Sequence, residues 1–78
     1  MMHIEKYENA FIECLGIERE QFEGLNYQGV PGWDSVGHML LMAALEDVFD
    51  IMLDTDDIID FSSFEKGKEI LRKYDVEL

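Results

Sequence analysis

The residues of this chain best equipped for chemistry sit together in "GWDSVGHM", residues 32–39, where Asp34, Ser35 and His38 fall within five positions of one another. A serine beside a histidine suggests a nucleophile with its base. A nucleophile elbow, however, needs glycine two residues before the serine as well as two after; Gly37 is present, but Trp33 holds the earlier place. His38 shares a helical face with Ser35, yet helical side chains lean back towards the N-terminus, and no acid is placed to orient the imidazole. The requirements of a serine hydrolase are not met. The simpler use of an acid or serine before an apolar run is an N-cap. If Asp34 caps, Ser35 falls in the first turn with its hydroxyl free. A phosphate ester there would lie at the positive end of the helix dipole, which suits Ser35 to a phosphodiester-linked group.

Other candidate ligands do not assemble into a site. The acidic run "LDTDDIID", residues 53–60, invites a calcium reading. Counted from Asp54, though, an EF-hand loop would place Ile58 and Ile59 at its fifth and sixth positions, where an oxygen ligand and a glycine belong. These acids are expected to cap a short helix and face water. His3, His38 and Cys14 have no metal-ligand spacing, so no metal is expected, and the lone Cys14 cannot form an internal disulfide.

Charge narrows the partners. Eighteen acidic residues oppose six basic ones, a formal net charge of -12, and residues 20–65 contain no lysine or arginine. Nucleic acid is a poor partner for such a surface, whereas cationic protein surfaces would be drawn to it. The 78 residues allow a single domain, 1–78, and a 47% hydrophobic content allows it one small core. The sequence shows neither a secretory pattern nor an apolar run of about 18 residues. A cytoplasmic monomer with no membrane span is expected.

Hydrophobic periodicity sets out the elements that must position Ser35. Ile4, Tyr7, Phe11 and Cys14 or Leu15 form one stripe of an amphipathic helix that Gly16 closes. Residues 17–33 lack periodicity but carry Ile17, Phe22, Leu25, Tyr27 and Val30, which predicts a long loop that packs, with a helical turn near residues 18–23. A second helix runs from Asp34 and Ser35 to about Asp50. Leu41, Met42, Leu45 and Phe49 make its buried face, while Val36, Leu40 and Ala43 lie on another face, on which Val36 and Leu40 are expected to be at least partly exposed. A short third helix begins at Asp54 and Thr55, with Leu53, Ile58, Ile59 and Phe61 as its apolar contacts. The segment "SSFE", residues 62–65, reads as a capping box in which Ser62 caps and Glu65 reaches back. The last helix then buries Phe64, Gly67, Ile70, Leu71 and Tyr74. The expected fold is an all-α bundle, with a core of Tyr7, Phe11, Leu15, Leu41, Leu45, Phe49, Ile59, Phe61 and Leu71.

Against this background, "GWDSVGHMLLMAALEDVFDI" resembles the second helix of acyl carrier proteins, whose signature is an Asp-Ser-Leu-like triplet followed by an apolar helix ending in Glu-Glu and a Phe. Asp34, Ser35 and Val36 stand in the triplet, and Glu46, Asp47 and Phe49 match the end. The similarity runs through the short third helix and the final helix, over nearly the whole chain. It implies a four-helix bundle with three main helices, one short third helix and a long loop between the first and second. It also implies a protein that is not itself an enzyme. A phosphopantetheinyl transferase would attach 4'-phosphopantetheine from coenzyme A to Ser35, with Asp34 as helix cap and recognition residue for the transferase. The arm would carry acyl or aminoacyl groups as thioesters. A loading ligase, condensing enzyme or acyltransferase with a basic docking surface would meet Val36, Leu40, Glu46 and Asp47, and a sheltered acyl chain would contact Met39 and Ile58.

Two departures bear on the pathway. Val36 replaces the usual leucine, and Gly37, His38 and Leu40 occupy early turns that commonly bear acids in fatty-acid carriers. With Trp33, this form resembles stand-alone carriers of specialised pathways, whether polyketide-like, aminoacyl or cell-surface lipid and glycan acylation. The competing expectation is an unmodified acidic adaptor that uses the same helix surface to bind a basic partner.

Overall fold

The first stripe of apolar residues forms helix α1, His3–Leu15, which Gly16 closes with a left-handed turn at φ 65°. The computed structural model describes residues 3–78, so Met1 and Met2 of the expected domain lie outside the described residues. A 3₁₀ turn follows at Arg19–Gln21, then α2 (Ser35–Phe49), α3 (Thr55–Asp60) and α4 (Phe64–Arg72). No strand forms among the described residues, and the architecture is the expected all-α one. The Cα radius of gyration is 11.2 Å, close to the ~11.5 Å of a compact domain of this length.

The core is largely aromatic. Tyr7 and Phe11 from α1, Trp33 from the loop, Phe61 after α3 and Phe64 at the start of α4 are all buried. Their rings meet at centroid separations of 4.9 Å for Phe11 with Phe64 and 5.4 Å for Phe11 with Trp33. Each such ring, fully buried, stabilises the fold by about 1.5–3 kcal/mol. The Tyr7 hydroxyl donates to the Phe64 carbonyl at 2.6 Å, so its polar end is satisfied, and burial pushes this phenol far above its ordinary range, with the Glu65 charge adding to the effect. Gly67 is the close-approach point of α4, since a Cβ there would lie 2.2 Å from both Phe61 Cζ and the Tyr7 hydroxyl oxygen.

The long loop packs, though not through all the residues expected: Ile17, Phe22 and Leu25 are buried, as is Trp33, while Val30 is half-buried and Tyr27 exposed, and Phe22 stacks on Phe64 at 4.3 Å. Its backbone also pairs with the segment between α3 and α4: the Tyr27 amide donates to the Ser62 carbonyl at 2.8 Å and the Phe64 amide to the Leu25 carbonyl at 2.9 Å.

That pairing corrects the expected capping box. Ser63 is extended and the backbone on either side of it bonds to the loop, so α4 begins one residue later and Ser63, not Ser62, caps it by accepting from the Lys66 amide at 2.9 Å. Glu65 turns outward to Lys68 instead of back to the cap.

Two further expectations are corrected in α3. Ile59 is 71% exposed rather than in the core. It lies two residues from both Asp57 and Phe61, which face inward, and therefore points the other way. Asp57, expected to face water, is buried. Its carboxylate accepts from Lys73 Nζ and from the Tyr74 hydroxyl, each at 2.5 Å, and the Asp54 amide donates to the same hydroxyl at 2.9 Å. This cluster pins α3 to the end of α4. Phe49 is half-buried rather than fully enclosed, meeting the His3 ring edge-on at 5.8 Å.

Candidate functional site

Asp34 and Ser35 divide their work at the start of α2. Asp34 is extended, with φ -103°, and its Oδ1 accepts from the Gly37 amide at 2.8 Å, which makes it the N-cap. Ser35 is the first helical residue, exposed, and its hydroxyl makes no hydrogen bond to any described residue. Gly37 lets the incoming loop cross the helix start, because a Cβ there would lie 1.9 Å from the Gly32 carbonyl oxygen.

His38 is built into the scaffold. Trp33 Nε1 donates to His38 Nδ1 at 2.9 Å, and His38 Nε2 lies 2.8 Å from the Ile58 carbonyl oxygen. An indole N–H can only donate, so Nδ1 is the acceptor and the ring proton sits on Nε2, donating to Ile58. Both nitrogens are used, and neither is free to take a proton from Ser35. The fully buried Trp33 in turn has its one polar group satisfied.

This bridge ties α2, the loop and α3 around an open cleft of about 340 Å³. Ser35 stands at its edge; Tyr27, His38, Met39, Ile58 and Ile59 wall it, and Phe61 closes its inner side with Ser62 beside it. Met39 is 56% exposed and Ile58 half-buried, and both line the same cleft as Ser35. Tyr27 packs edge-on against His38 at 5.4 Å. The sequence marks Tyr27 only as a loop residue and Ser62 only as a helix cap; neither is expected at the site, because each reaches the cleft through the backbone pairing of residues 27 and 62.

The four residues expected to meet a partner divide. Val36 is 69% and Leu40 56% exposed, and Asp47 continues the same face into solvent. Glu46 is half-buried, and its Oε2 accepts from the Leu53 amide at 2.8 Å, so it braces the turn into α3 with one carboxylate oxygen. Cys14 is half-buried with Sγ 3.8 Å from the Leu40 carbonyl oxygen; burial, then the Glu13 charge, push its thiol up and away from the nucleophilic thiolate. Among the described residues no group of His, Cys, Asp or Glu is placed to hold a metal ion, and no helix is long and apolar enough to cross a membrane.

Comparison with protein-family models, with curated proteins and with solved structures finds no match to this chain.

Proposed function

We propose that the chain is an acyl carrier protein in which Ser35 bears a 4'-phosphopantetheine arm and presents acyl or aminoacyl groups to enzymes of a fatty-acid, polyketide-like or cell-surface lipid or glycan acylation pathway. The observation that supports this most is the division of labour at the α2 start: Asp34 caps, leaving the exposed Ser35 hydroxyl uncommitted at the edge of an apolar cleft. The fit to the arm is good on two counts. A phosphodiester on Ser35 would sit in the first turn of a 15-residue helix, at its positive end. The cleft beside it offers Met39 and Ile58 to the chain beyond.

In the attachment step Ser35 Oγ would form a bond to phosphorus as the pyrophosphate bond of coenzyme A breaks, 3',5'-ADP leaves, and a base of the transferase takes the hydroxyl proton. The arm, when bound, supplies a thiol that holds the acyl group as a thioester. The chain's own part is to orient and expose Ser35: Asp34 fixes the helix start, the Trp33–His38–Ile58 bridge holds the cleft walls, and the acidic surface draws cationic enzymes towards Val36, Leu40 and Asp47.

Incubation with a broad-specificity phosphopantetheinyl transferase and coenzyme A is expected to add one phosphopantetheine to the intact mass, and none to Ser35→Ala. A wild-type chain that stays at its unmodified mass sinks the reading. The exposed Val36 and Leu40 also fit an unmodified acidic adaptor. That reading instead predicts salt-sensitive partner binding that is indifferent to Ser35→Ala.

A further inference from the structure

We propose that the cleft beside Ser35 is a shallow dish that shelters only a short acyl or aminoacyl cargo, and that His38 is the residue that sets its depth. The proposal rests on the carrier reading of Ser35 and adds to it the size of the cargo.

The space itself is small. At about 340 Å³ it lies near the lower end of the roughly 300–1,000 Å³ of ligand pockets, and the arm must share it with whatever the arm carries. The way inward is shut by specific bonds. A chain passing between α2 and α3 towards the core meets the His38 ring, held on one nitrogen by Trp33 from the loop and on the other by the Ile58 carbonyl from α3. Behind it stand Trp33 and Phe61, 0% and 1% exposed, with ring centroids 6.4 Å apart. A long chain could pass only by parting these rings and breaking the bridge. It would leave the Trp33 N–H buried without a partner, a condition that folded proteins rarely tolerate. A short cargo needs none of this, because Met39, Ile58 and Ile59 already face the open part of the cleft. With both ring nitrogens committed, His38 serves as wall and brace and offers no acid or base to the thioester.

The test loads wild-type protein with acetyl-, butyryl-, hexanoyl- and dodecanoyl-phosphopantetheine, using the transferase and the matching acyl-coenzyme A, with each product confirmed by intact mass. Two quantities are then read along the series: the thermal midpoint, and the methyl chemical shifts of Met39 and Ile58 near Ser35 and of Leu41 and Leu45 in the core. The Met39 and Ile58 shifts and the midpoint are expected to move between acetyl and butyryl and then stop, while Leu41 and Leu45 stay still throughout. A midpoint that keeps climbing through dodecanoyl, with Leu41 and Leu45 moving, overturns the proposal. So does a series in which Met39 and Ile58 never respond. Failure to add any arm is a different result, visible in the mass spectrum, and overturns the carrier reading together with this one.

Discussion

His38 shows how the role of a single residue is decided by its partners. Three positions from a serine, it has the spacing of a base, but the Trp33 indole N–H and the Ile58 carbonyl occupy both its nitrogens. Its work is to satisfy the one polar atom of a fully buried tryptophan and to join two helices. Replacing it by alanine orphans the Trp33 N–H, and His38→Ala is expected to lose about 1–3 kcal/mol of stability, the cost of a buried unpaired donor. Urea unfolding followed by Trp33 fluorescence measures this; an unchanged midpoint would show that the bridge contributes nothing. Ser35 is the opposite case, a hydroxyl that bonds to no described residue, so alanine in its place should leave the fold alone; under the proposed carrier function the same change should abolish addition of the arm.

At the scale of elements, the helix starts carry the information. Asp34 closes one orphan amide of α2 from the Gly37 position, and Asp34→Ala is expected to destabilise the chain by about 1 kcal/mol, within the usual range for a lost N-cap. Circular dichroism during denaturation reads that loss, and Asp34→Asn, which keeps the acceptor, should restore most of it. The cap of α4 shows where sequence motifs stop being sufficient. "SSFE" contains a well-formed capping box, yet the serine that caps is the second of the pair, because the loop backbone claims residues 62–64 for its own hydrogen bonds. The side chain of Ser62 is thereby freed to lie beside the cleft.

For the whole molecule, the decisive polar contact is the cluster that holds α3 against the end of α4. Hydrogen bonds from Lys73 and then Tyr74 hold the Asp57 carboxyl below its ordinary value of 3.8, outweighing burial, which acts in the other direction. The lowered folded-state value means that the contribution of Asp57 is complete above pH 3.8 and is lost as pH falls from there through that lowered value. Asp57→Asn has no such titration. The thermal midpoint of the wild type should exceed that of Asp57→Asn at neutral pH, and the gap should close across that acid window. A gap of constant size down to low pH would contradict the role given to the ionised carboxylate. Lys73 mirrors this, raised first by its bond to Asp57, so its share persists through neutral pH and fades only as pH rises past 10.5 and through its raised value. Because α3 forms one wall of the cleft, the same cluster helps to fix the site, and it does so inside a chain whose net charge of -12 favours separation of its parts.

Much of this was legible in the residues themselves. Apolar spacing alone places α1 and α2; Gly16 and Asp34 mark a stop and a start; and a stripe with Val36 and Leu40 on a helix already carrying a buried face has to meet solvent. These follow from local rules, in which period and cap depend on neighbours a few positions away. The sequence by itself therefore determined the all-α class, the freedom of Ser35 and the exposure beside it. The tertiary structure alone decided that Ile59 faces out while Asp57 is buried, that Ser63 rather than Ser62 caps α4, and that Tyr27, His38 and Ser62 come together around one cleft. Each of those depends on a partner far away in the chain: Lys73 and Tyr74 for Asp57, Leu25 and Tyr27 for the start of α4, Ile58 for His38. A short helix or a loop has too few local hydrogen bonds to fix its own register, so distant contacts fix it instead.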